Sequence, residues 1–434
     1  MPSFSALRFL AVGTTILAMF TGGQCLSAQG GTAKVTDLSA VADSNNQFAF
    51  DFYRSINASD EGKNIFVSPF SVSTALAMTF EGSRGDTQKQ MAGVLHFNLP
   101  DADRQAGFSA LLAEINGGQA KHYKLEVANA LWGQKEYRFE PSFTWTIGKF
   151  YGGGFYAVDF VGDKAGSVHK INSWVEDKTA GKIKDLVHPG DVNELTRLIL
   201  TNAIYFKGSW AAPFEKIATR TEPFHISATA TVQAPMMHRS GQFRCAKGDA
   251  LTAIELPYAG NEMSMIAILP SGDIDQLGES LSTEEIDRLR KEMRAEEVDV
   301  FLPRFKIEAR SLLKDKLSKL GMPDAFDKTV ADFSGITGNK TLYLSSVIHQ
   351  AMIEVNEEGS EAAAATAVVI QTMMVHAPSK LAFRADRPFI FMIVHNPSGS
   401  ILFMGRLSNP SDLVLIGTLR QPRQLPLTKA HLVA

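Results

Sequence analysis

Cysteine is nearly absent from this chain, which has only Cys25 and Cys245 among its 434 residues. Because Cys25 lies in a candidate leader segment, the mature chain would keep one thiol, and an intrachain disulfide is excluded as a source of stability. Metal sites built from paired CxxC motifs are excluded in the same way. Stability must therefore come from a packed core, for which a hydrophobic content of 45% is ample.

Charge of one sign is not in excess either, since 43 basic and 46 acidic residues give a formal net charge of -3. The local basic cluster at Lys121, His122 and Lys124 is too small to form a polyanion-binding groove. We therefore expect no nucleic-acid partner.

The N-terminal apolar run, residues 9–20, follows Arg8 and has the length of a signal-peptide core, but it is too short for a membrane span. Cleavage is expected after Ala28, which assigns residues 1–28 to a signal peptide even though Leu26 departs from the small-residue rule. The residues before Cys25 do not form a good lipid-processing site. We expect a secreted protein, periplasmic if the source is bacterial, with no membrane span in its mature form.

The sequence patterns of common enzymes are missing. There is no HExxH motif, no glycine-rich phosphate loop and no GxSxG elbow, and none of the ten histidines lies three or four residues from another. His349 lies in an apolar, strand-like segment and is interpreted as a buried hydrogen-bonding residue. A triad assembled from distant residues would leave no such pattern, but nothing in the chain points to one. We predict that the protein is not an enzyme and that it needs no metal or cofactor.

Apolar residues recur at helical and strand spacing through the rest of the chain. Phe48, Phe52 and Ile56 predict a first amphipathic helix, while Ser68 and Pro69 predict the N-cap and first turn of a second. Further helices are predicted around residues 108–115 and 168–175, and strands over residues 198–206, 253–256, 263–269, 298–302, 389–394 and 401–404.

One domain accounts for this pattern, because no linker or repeat divides it. The sequence Asn396-Pro-Ser-Gly predicts a hairpin between two of the strands. We predict a single mixed α/β domain over residues 35–412 and a tail, residues 413–434, for which disorder is the expectation.

The tripeptide Arg84-Gly-Asp86 has two interpretations. It could bind an integrin, or it could end a helix at Gly85 and place Asp86 as the cap of the next one. The apolar spacing of Met91 and Leu95 favours the second interpretation.

The stretch over residues 357–380 has an unusual composition. Nearly every side chain in residues 359–367 is small, and residues 368–370 are β-branched. As a strand, the stretch would direct Ser360, Ala362, Ala364, Thr366, Val368 and Ile370 to one face, and Glu361, Ala363, Ala365 and Ala367 to the other. The alternative is an exposed alanine-rich helix capped by Ser360. The composition of the stretch is compatible with either conformation.

Several long motifs resemble those of the serpin family, in the same order. They are Asn64-Ile-Phe-Val-Ser-Pro-Phe-Ser, Gly82-Ser-Arg-Gly-Asp-Thr87, Asn172-Ser-Trp-Val-Glu with Gly181-Lys-Ile, Leu200-Thr-Asn-Ala-Ile-Tyr-Phe-Lys-Gly-Ser-Trp210, residues 349–365, and Phe383-Arg-Ala-Asp-Arg-Pro-Phe389 with Phe403-Met-Gly-Arg. The resemblance covers residues 41–410. It implies a mixed α/β fold of three β-sheets with eight or nine helices and an exposed reactive-centre loop.

The activity implied by the resemblance is inhibition of proteases by a suicide mechanism. A target protease attacks the loop and forms an acyl-enzyme, and the cleaved loop then inserts as a new strand into the large sheet; this is a property of the family rather than a deduction from the sequence. Matching by position puts the reactive bond between Met373 and Met374, and a one-residue slip would put Met374 on the acyl side. Methionine is unbranched and uncharged, so the expected partners are chymotrypsin-like or elastase-like serine proteases, with cysteine proteases as an alternative.

The same matching assigns three further groups of residues. The hinge consists of Glu357, Gly359, Ser360, Glu361, Ala362, Ala363, Ala364 and Ala365. The cluster that controls sheet opening consists of Ser68, Ser71, Asn202 and His349. Insertion is implied to begin at Trp210, Arg304 and Glu357, with Arg304 and Glu357 expected to form an ion pair.

An inhibitor is favoured over a non-inhibitory relative that acts as a carrier, chaperone or storage protein. Bulky or charged residues on the inward face of the hinge would stall insertion, and Ser360, Ala362 and Ala364 are neither. Residues 111–123 lack the basic run of heparin-activated relatives, so no heparin site is expected. We expect a monomer.

Overall fold

The computed structural model of the chain describes residues 35–59, 62–116, 122–360, 381–411 and 415–416. Several predicted features lie outside these ranges. They are the leader over residues 1–28 with Cys25, the hinge residues Glu361, Ala362, Ala363, Ala364 and Ala365, the reactive bond Met373–Met374, and all of the tail except residues 415–416.

Ten α-helical segments lie within the described ranges. They are α1 (Val35–Asn57), α2 (Pro69–Phe80), α3 (Gly85–Val94), α4 (Asp101–Asn116), α5 (Pro141–Tyr151), α6 (Lys164–Lys178), α7 (Ile274–Ser280), α8 (Thr283–Glu292), α9 (Lys314–Leu320) and α10 (Ser334–Thr337). The number exceeds the expected eight or nine because α10 is a single turn of four residues. None of these helices has the length and hydropathy needed to cross a membrane.

Helix starts follow local sequence signals at some positions and depart from them at others. The Ser68 side chain accepts a hydrogen bond from the Ser71 N–H at 3.2 Å, which confirms its predicted role as the N-cap of α2. The prediction that a helix ends at Gly85 and that Asp86 caps the next one is wrong, because α2 ends at Phe80, Gly85 begins α3 and Arg84 holds the N-cap position. Asp86 instead lies in the first turn, where a carboxylate interacts favourably with the helix dipole, and it accepts a hydrogen bond from Lys89.

The strands are, in chain order, β1 (Ile65–Val67), β2 (Tyr123–Gln134), β3 (Gly154–Val158), β4 (Leu198–Ser209), β5 (Arg220–His225), β6 (Thr231–Lys247), β7 (Leu251–Pro257), β8 (Met263–Pro270), β9 (Arg294–Pro303), β10 (Phe305–Leu312), β11 (Leu344–Asn356), β12 (Gly359–Ser360), β13 (Leu381–Arg384), β14 (Phe389–His395), β15 (Ser400–Leu407) and β16 (Leu415–Ile416). The predicted hairpin at residues 396–399 is confirmed, since it joins the antiparallel pair β14 and β15.

Hydrogen bonding links the described strands into two sheets. A nine-stranded sheet has the order β1-β15-β14-β8-β7-β6-β9-β13, with β5 paired to β6. The long strand β6 pairs with β5 and β9 along one part and with β7 at its end, so it joins two regions that would otherwise be separate sheets. This explains why two hydrogen-bonded sheets are observed where three were expected.

The seven-stranded sheet has the order β16-β10-β11-β12-β4-β2-β3. In the tail, β16 pairs in parallel with β10 at the edge of this sheet. Helix α2 is buried along its whole length and contacts strands of both sheets. Helix α6 packs against β2, with the buried Val168, Ile171 and Val175 facing the sheet.

Candidate functional site

The site is the boundary between β4 and β11 in the seven-stranded sheet. These two strands run parallel and are direct neighbours, with residues 198–205 paired to residues 344–352. Both strands are buried along most of their length. We call this boundary the β4/β11 seam.

The short strand β12 lies between β4 and β11 at one end of the seam. Ser360 pairs with Val355 on one side and Gly208 on the other, and both pairings are antiparallel. The first two residues of a third strand have therefore already separated β4 from β11 at this end. For these two residues the strand interpretation of the small-residue stretch is confirmed and the helix interpretation is not.

Gly359 is required by this geometry. Its φ of +153° is rarely adopted by other residues, and a Cβ added there would lie 2.0 Å from the Gly208 carbonyl oxygen. The backbone of β12 can approach β4 only because this position has no side chain.

Ser360 faces the interior and is fully buried. Its hydroxyl lies 2.6 Å from the Tyr258 hydroxyl, and the Tyr258 ring stacks on Trp210 with the centroids 4.6 Å apart. The sequence pattern does not predict this role of Tyr258, because it depends on a contact between residues that are far apart in the chain.

The residues implied in the start of insertion are brought together beside β12. Trp210 donates through Nε1 to the Asn356 carbonyl at 3.0 Å and through its backbone N–H to the Glu358 carbonyl at 2.9 Å. The Glu357 side chain is only 5% exposed, and Arg304 Nε lies 3.6 Å from its Oε2. Thr219, which the sequence did not single out, donates to Glu357 Oε1 at 2.7 Å.

The four residues of the implied sheet-opening cluster also meet, at the middle of the seam. His349 and Asn202 are direct partners across the seam, and their side chains are hydrogen-bonded. The Ser68 N–H donates to His349 Nε2 at 3.2 Å, which makes Nε2 an acceptor and places the ring proton on Nδ1, facing Asn202 Oδ1. Asn202 in turn donates to Ser71 Oγ at 2.5 Å and to Asn129 Oδ1. Asn129 is a member that sequence reasoning missed.

This network ties the two strands to each other and to α2. Every polar group named in it is buried, so breaking one bond without replacing it would cost about 1–3 kcal/mol. A strand entering the seam must nevertheless separate His349 from Asn202. The cluster therefore stabilises the closed seam.

Acid is expected to weaken this cluster. Complete burial lowers the pKa of His349 to about 3 from its usual 6.5. The unfolded chain therefore binds one more proton than the folded chain between these values, so stability should be highest above pH 6.5 and fall as the pH drops toward 3, by up to about 1.4 kcal/mol per pH unit. Urea unfolding across this range measures the effect. His349→Gln lacks the titrating group and should flatten the profile; identical profiles for the two proteins would contradict the assignment.

Comparison with known proteins agrees with this geometry. The family model described as serpin (serine protease inhibitor) matches residues 43–410. A serpin-like protein from Thermococcus kodakarensis is 42% identical over 377 residues, covering 86% of each chain. The leukocyte elastase inhibitor of Homo sapiens is 39% identical over 380 residues, covering 85% of this chain and 99% of that one.

Solved structures show the same fold. Human thyroxine-binding globulin complexed with thyroxine matches with a TM-score of 0.80 and 32% identity, over 87% of this chain and 100% of that one. Uncleaved ovalbumin matches with a TM-score of 0.77 and 28% identity, over 85% and 100%. The mixed α/β serpin fold is thereby confirmed, and the chain belongs to the serpin family of serine protease inhibitors.

Proposed function

We propose that the protein is a suicide-substrate inhibitor of serine endopeptidases that traps its target by inserting the cleaved loop at the β4/β11 seam. The observation that carries the proposal is the position of β12, whose Ser360 already lies between Val355 and Gly208. The residues that follow Ser360 in the sequence are small enough to continue this strand.

We expect the pairing of Ser360 to set the register of the rest of the insertion. Each further residue of an antiparallel strand pairs one position earlier on both β11 and β4. Thr366, six positions beyond Ser360, would then pair with His349 and Asn202, which are already partners of each other. The same register therefore fits both neighbours as far as Ser346 and Ile199, beyond which the pairing of β11 with β4 shifts by one residue. Within this range the inserted strand would pass directly through the sheet-opening cluster.

The protease supplies the catalytic groups, and this chain supplies the peptide bond that is attacked. The protease serine attacks the carbonyl of Met373, the bond to Met374 breaks, and Met374 leaves with a new amino terminus while Met373 remains esterified to the enzyme. Moving the 14 residues from Ser360 to Met373 into a strand spans roughly 46 Å at about 3.3 Å per residue. That movement would carry the attached protease to the other end of the sheet and distort its active site before water can hydrolyse the ester.

Methionine at the reactive bond selects for proteases with apolar primary pockets. Its side chain fits the pockets of chymotrypsin-like and elastase-like enzymes, and it offers no cation to the acidic pocket of trypsin. The similarity to leukocyte elastase inhibitors supports this target class. Cysteine proteases are a further class that could attack the same peptide bond.

We also propose that the protein acts outside the cell, or in the periplasm of a bacterial source, as a monomer without heparin activation. Residues 1–28 carry the features of a signal peptide, and residues 111–123 lack a basic run. N-terminal sequencing of exported protein tests the leader, and size-exclusion chromatography with and without heparin tests the other two proposals.

The direct test mixes the protein with chymotrypsin, pancreatic elastase and trypsin, followed by denaturing gels and mass spectrometry. We expect a complex that survives denaturation with either of the first two proteases, together with a released peptide that begins at Met374, or at Val375 if the register slips by one residue. Cleavage of the loop without any trapped complex would show that the protein is a substrate.

A carrier function is the second candidate, favoured by the structural similarity to thyroxine-binding globulin complexed with thyroxine. A carrier would bind a small ligand and would trap no protease. Ligand binding without a trapped protease complex would support it.

A further inference from the structure

The chain that follows α6 lies across the β4/β11 seam. We call residues 183–197 the crossing segment. Ile183, Leu186, Val187 and Val192 of this segment pack in one buried apolar cluster that contains Ile199 and Ala203 of β4 and Ile348 of β11. Side chains from both sides of the seam therefore share one cluster.

On the β4 side, the crossing segment is firmly attached through α6. The Trp174 indole donates to the Tyr156 hydroxyl of β3 at 3.0 Å. Asn172 of α6 both accepts from the N–H and donates to the carbonyl of Val187, each at 2.8 Å. The apolar cluster adds Trp132 and two alanines of β2, whereas β11 contributes Ile348, so most of its members lie on this side of the seam.

On the β11 side, the strongest attachment is a single arginine of the adjoining strand β10. Arg310 Nε donates to the Leu186 carbonyl at 2.6 Å, and its guanidinium forms an ion pair with the Asp191 carboxylate. The two side chains are only 10% and 9% exposed. Asp191 also accepts from the His188 N–H at 2.7 Å, which fixes the carboxylate in place. Two lesser bonds join the Arg197 N–H to Ser345 Oγ at 2.8 Å and the Tyr343 hydroxyl to the Leu195 carbonyl.

A strand that enters the seam moves β11 and β10 away from β4 by about 4.8 Å, the spacing of neighbouring strands. Hydrogen bonds do not extend beyond about 3.2 Å, so the crossing segment cannot keep both sets of attachments during this movement. Most of its neighbours in the apolar cluster belong to α6, β2 and β4. The attachments that must break are therefore those to β10 and β11.

We infer that Arg310 is a positioning residue for loop insertion: its bonds to Leu186 and Asp191 hold the seam closed across the crossing segment, and their rupture helps to set the insertion rate. The inference rests on the proposed function. In the acyl-enzyme, insertion competes with hydrolysis of the ester. A weaker attachment would trap more protease per cleaved loop, while letting the uncleaved loop insert spontaneously and inactivate the inhibitor sooner.

The variant Asp191→Asn tests this inference. It removes the negative charge but keeps an oxygen that can accept from the His188 N–H. We expect insertion to be about tenfold faster, which corresponds to about 1.4 kcal/mol in the barrier. The number of inhibitor molecules consumed per trapped protease should fall, while the rate at which the protease first attacks the loop stays unchanged.

Thermal unfolding separates a seam-specific role from general stabilisation. Asp191→Asn should lower the midpoint of the intact protein and leave that of the cleaved, inserted form unchanged, because the bond to Arg310 is lost on insertion. The matched control is Asp275→Asn, which breaks the pair with fully buried Arg406 outside the seven-stranded sheet. This control should lower both midpoints. Equal shifts of both midpoints for Asp191→Asn, or an unchanged insertion rate, would overturn the inference.

A synthetic peptide with the sequence of residues 360–373 separates this inference from the proposed function. If wild-type protein traps no protease, yet the peptide raises its thermal stability and does so faster in Asp191→Asn, then the inhibitor function fails and the role of Arg310 stands. If neither cleavage nor the peptide ever raises thermal stability, the seam does not open and the inference fails as well.

Discussion

Replacing Ala362 with arginine is expected to convert the protein from an inhibitor into a substrate. In the register set by Ser360, residue 362 would lie between Ile353 and Phe206, both of which are fully buried. An arginine there would overpack the core and bury an unpaired charge, at a cost of several kcal/mol. Insertion should stall, so that water hydrolyses the acyl-enzyme and releases active protease. Denaturing gels should show cleaved Ala362→Arg protein and almost no complex.

The control places the same side chain one position earlier. Residue 361 would lie between Glu354 and Lys207, both of which are partly exposed, on the opposite face of the strand. Glu361→Arg should therefore retain most of the trapping activity, since its guanidinium can reach solvent and the Glu354 carboxylate. Equal trapping by the Ala362→Arg and Glu361→Arg variants would contradict the predicted register.

Removing the imidazole of His349 is expected to have the next largest effect. His349→Ala leaves the Ser68 N–H and Asn202 Oδ1 buried without their partner and opens a cavity in the core. Each unpaired group costs about 1–3 kcal/mol in the closed form. The inserted form does not depend on the hydrogen bond between His349 and Asn202, because Thr366 would lie between these two residues. The variant should therefore unfold at a lower temperature and convert to inactive latent monomers or polymers on mild warming.

Size-exclusion chromatography after mild warming, together with a trapping assay, measures this conversion. His395→Ala is the matched control, because His395 is also fully buried but lies in β14 of the other sheet. It should destabilise the intact and cleaved forms alike, without promoting latency or polymers. Unchanged unfolding and unchanged loop insertion in His349→Ala would remove the role of His349 at the seam.

The parts of the fold that the sequence predicts well are those set by local physics. The N-cap at Ser68, the nearly continuous apolar run that becomes β4 and the hairpin at residues 396–399 all follow from residue type and spacing. Asp86 was predicted as the N-cap of α3 but lies two residues beyond it. An aspartate is favourable both at the N-cap and in the first turn of a helix, so residue type alone does not distinguish the two positions. The proximity of Arg304 and Glu357 was predicted from the resemblance to the family, because no spacing in the sequence indicates it.

The remaining features depend on pairings between distant segments. The contact of Tyr258 with Ser360 joins positions 102 residues apart, and Arg310 reaches Asp191 across 119 residues. No local pattern encodes such a contact. The position of β12 between β4 and β11 likewise depends on contacts between distant segments. The composition of residues 357–380 suits a strand or a helix equally well and does not determine it.

The central claim is that the chain after Ser360 enters the β4/β11 seam once it has been cut. Its most direct test compares thermal unfolding of the intact protein with that of protein cleaved in the loop by a protease that it does not trap. Insertion pairs a new strand on both sides, so the account predicts a large rise in the unfolding temperature of the cleaved protein. An unchanged or lower unfolding temperature after cleavage would contradict it.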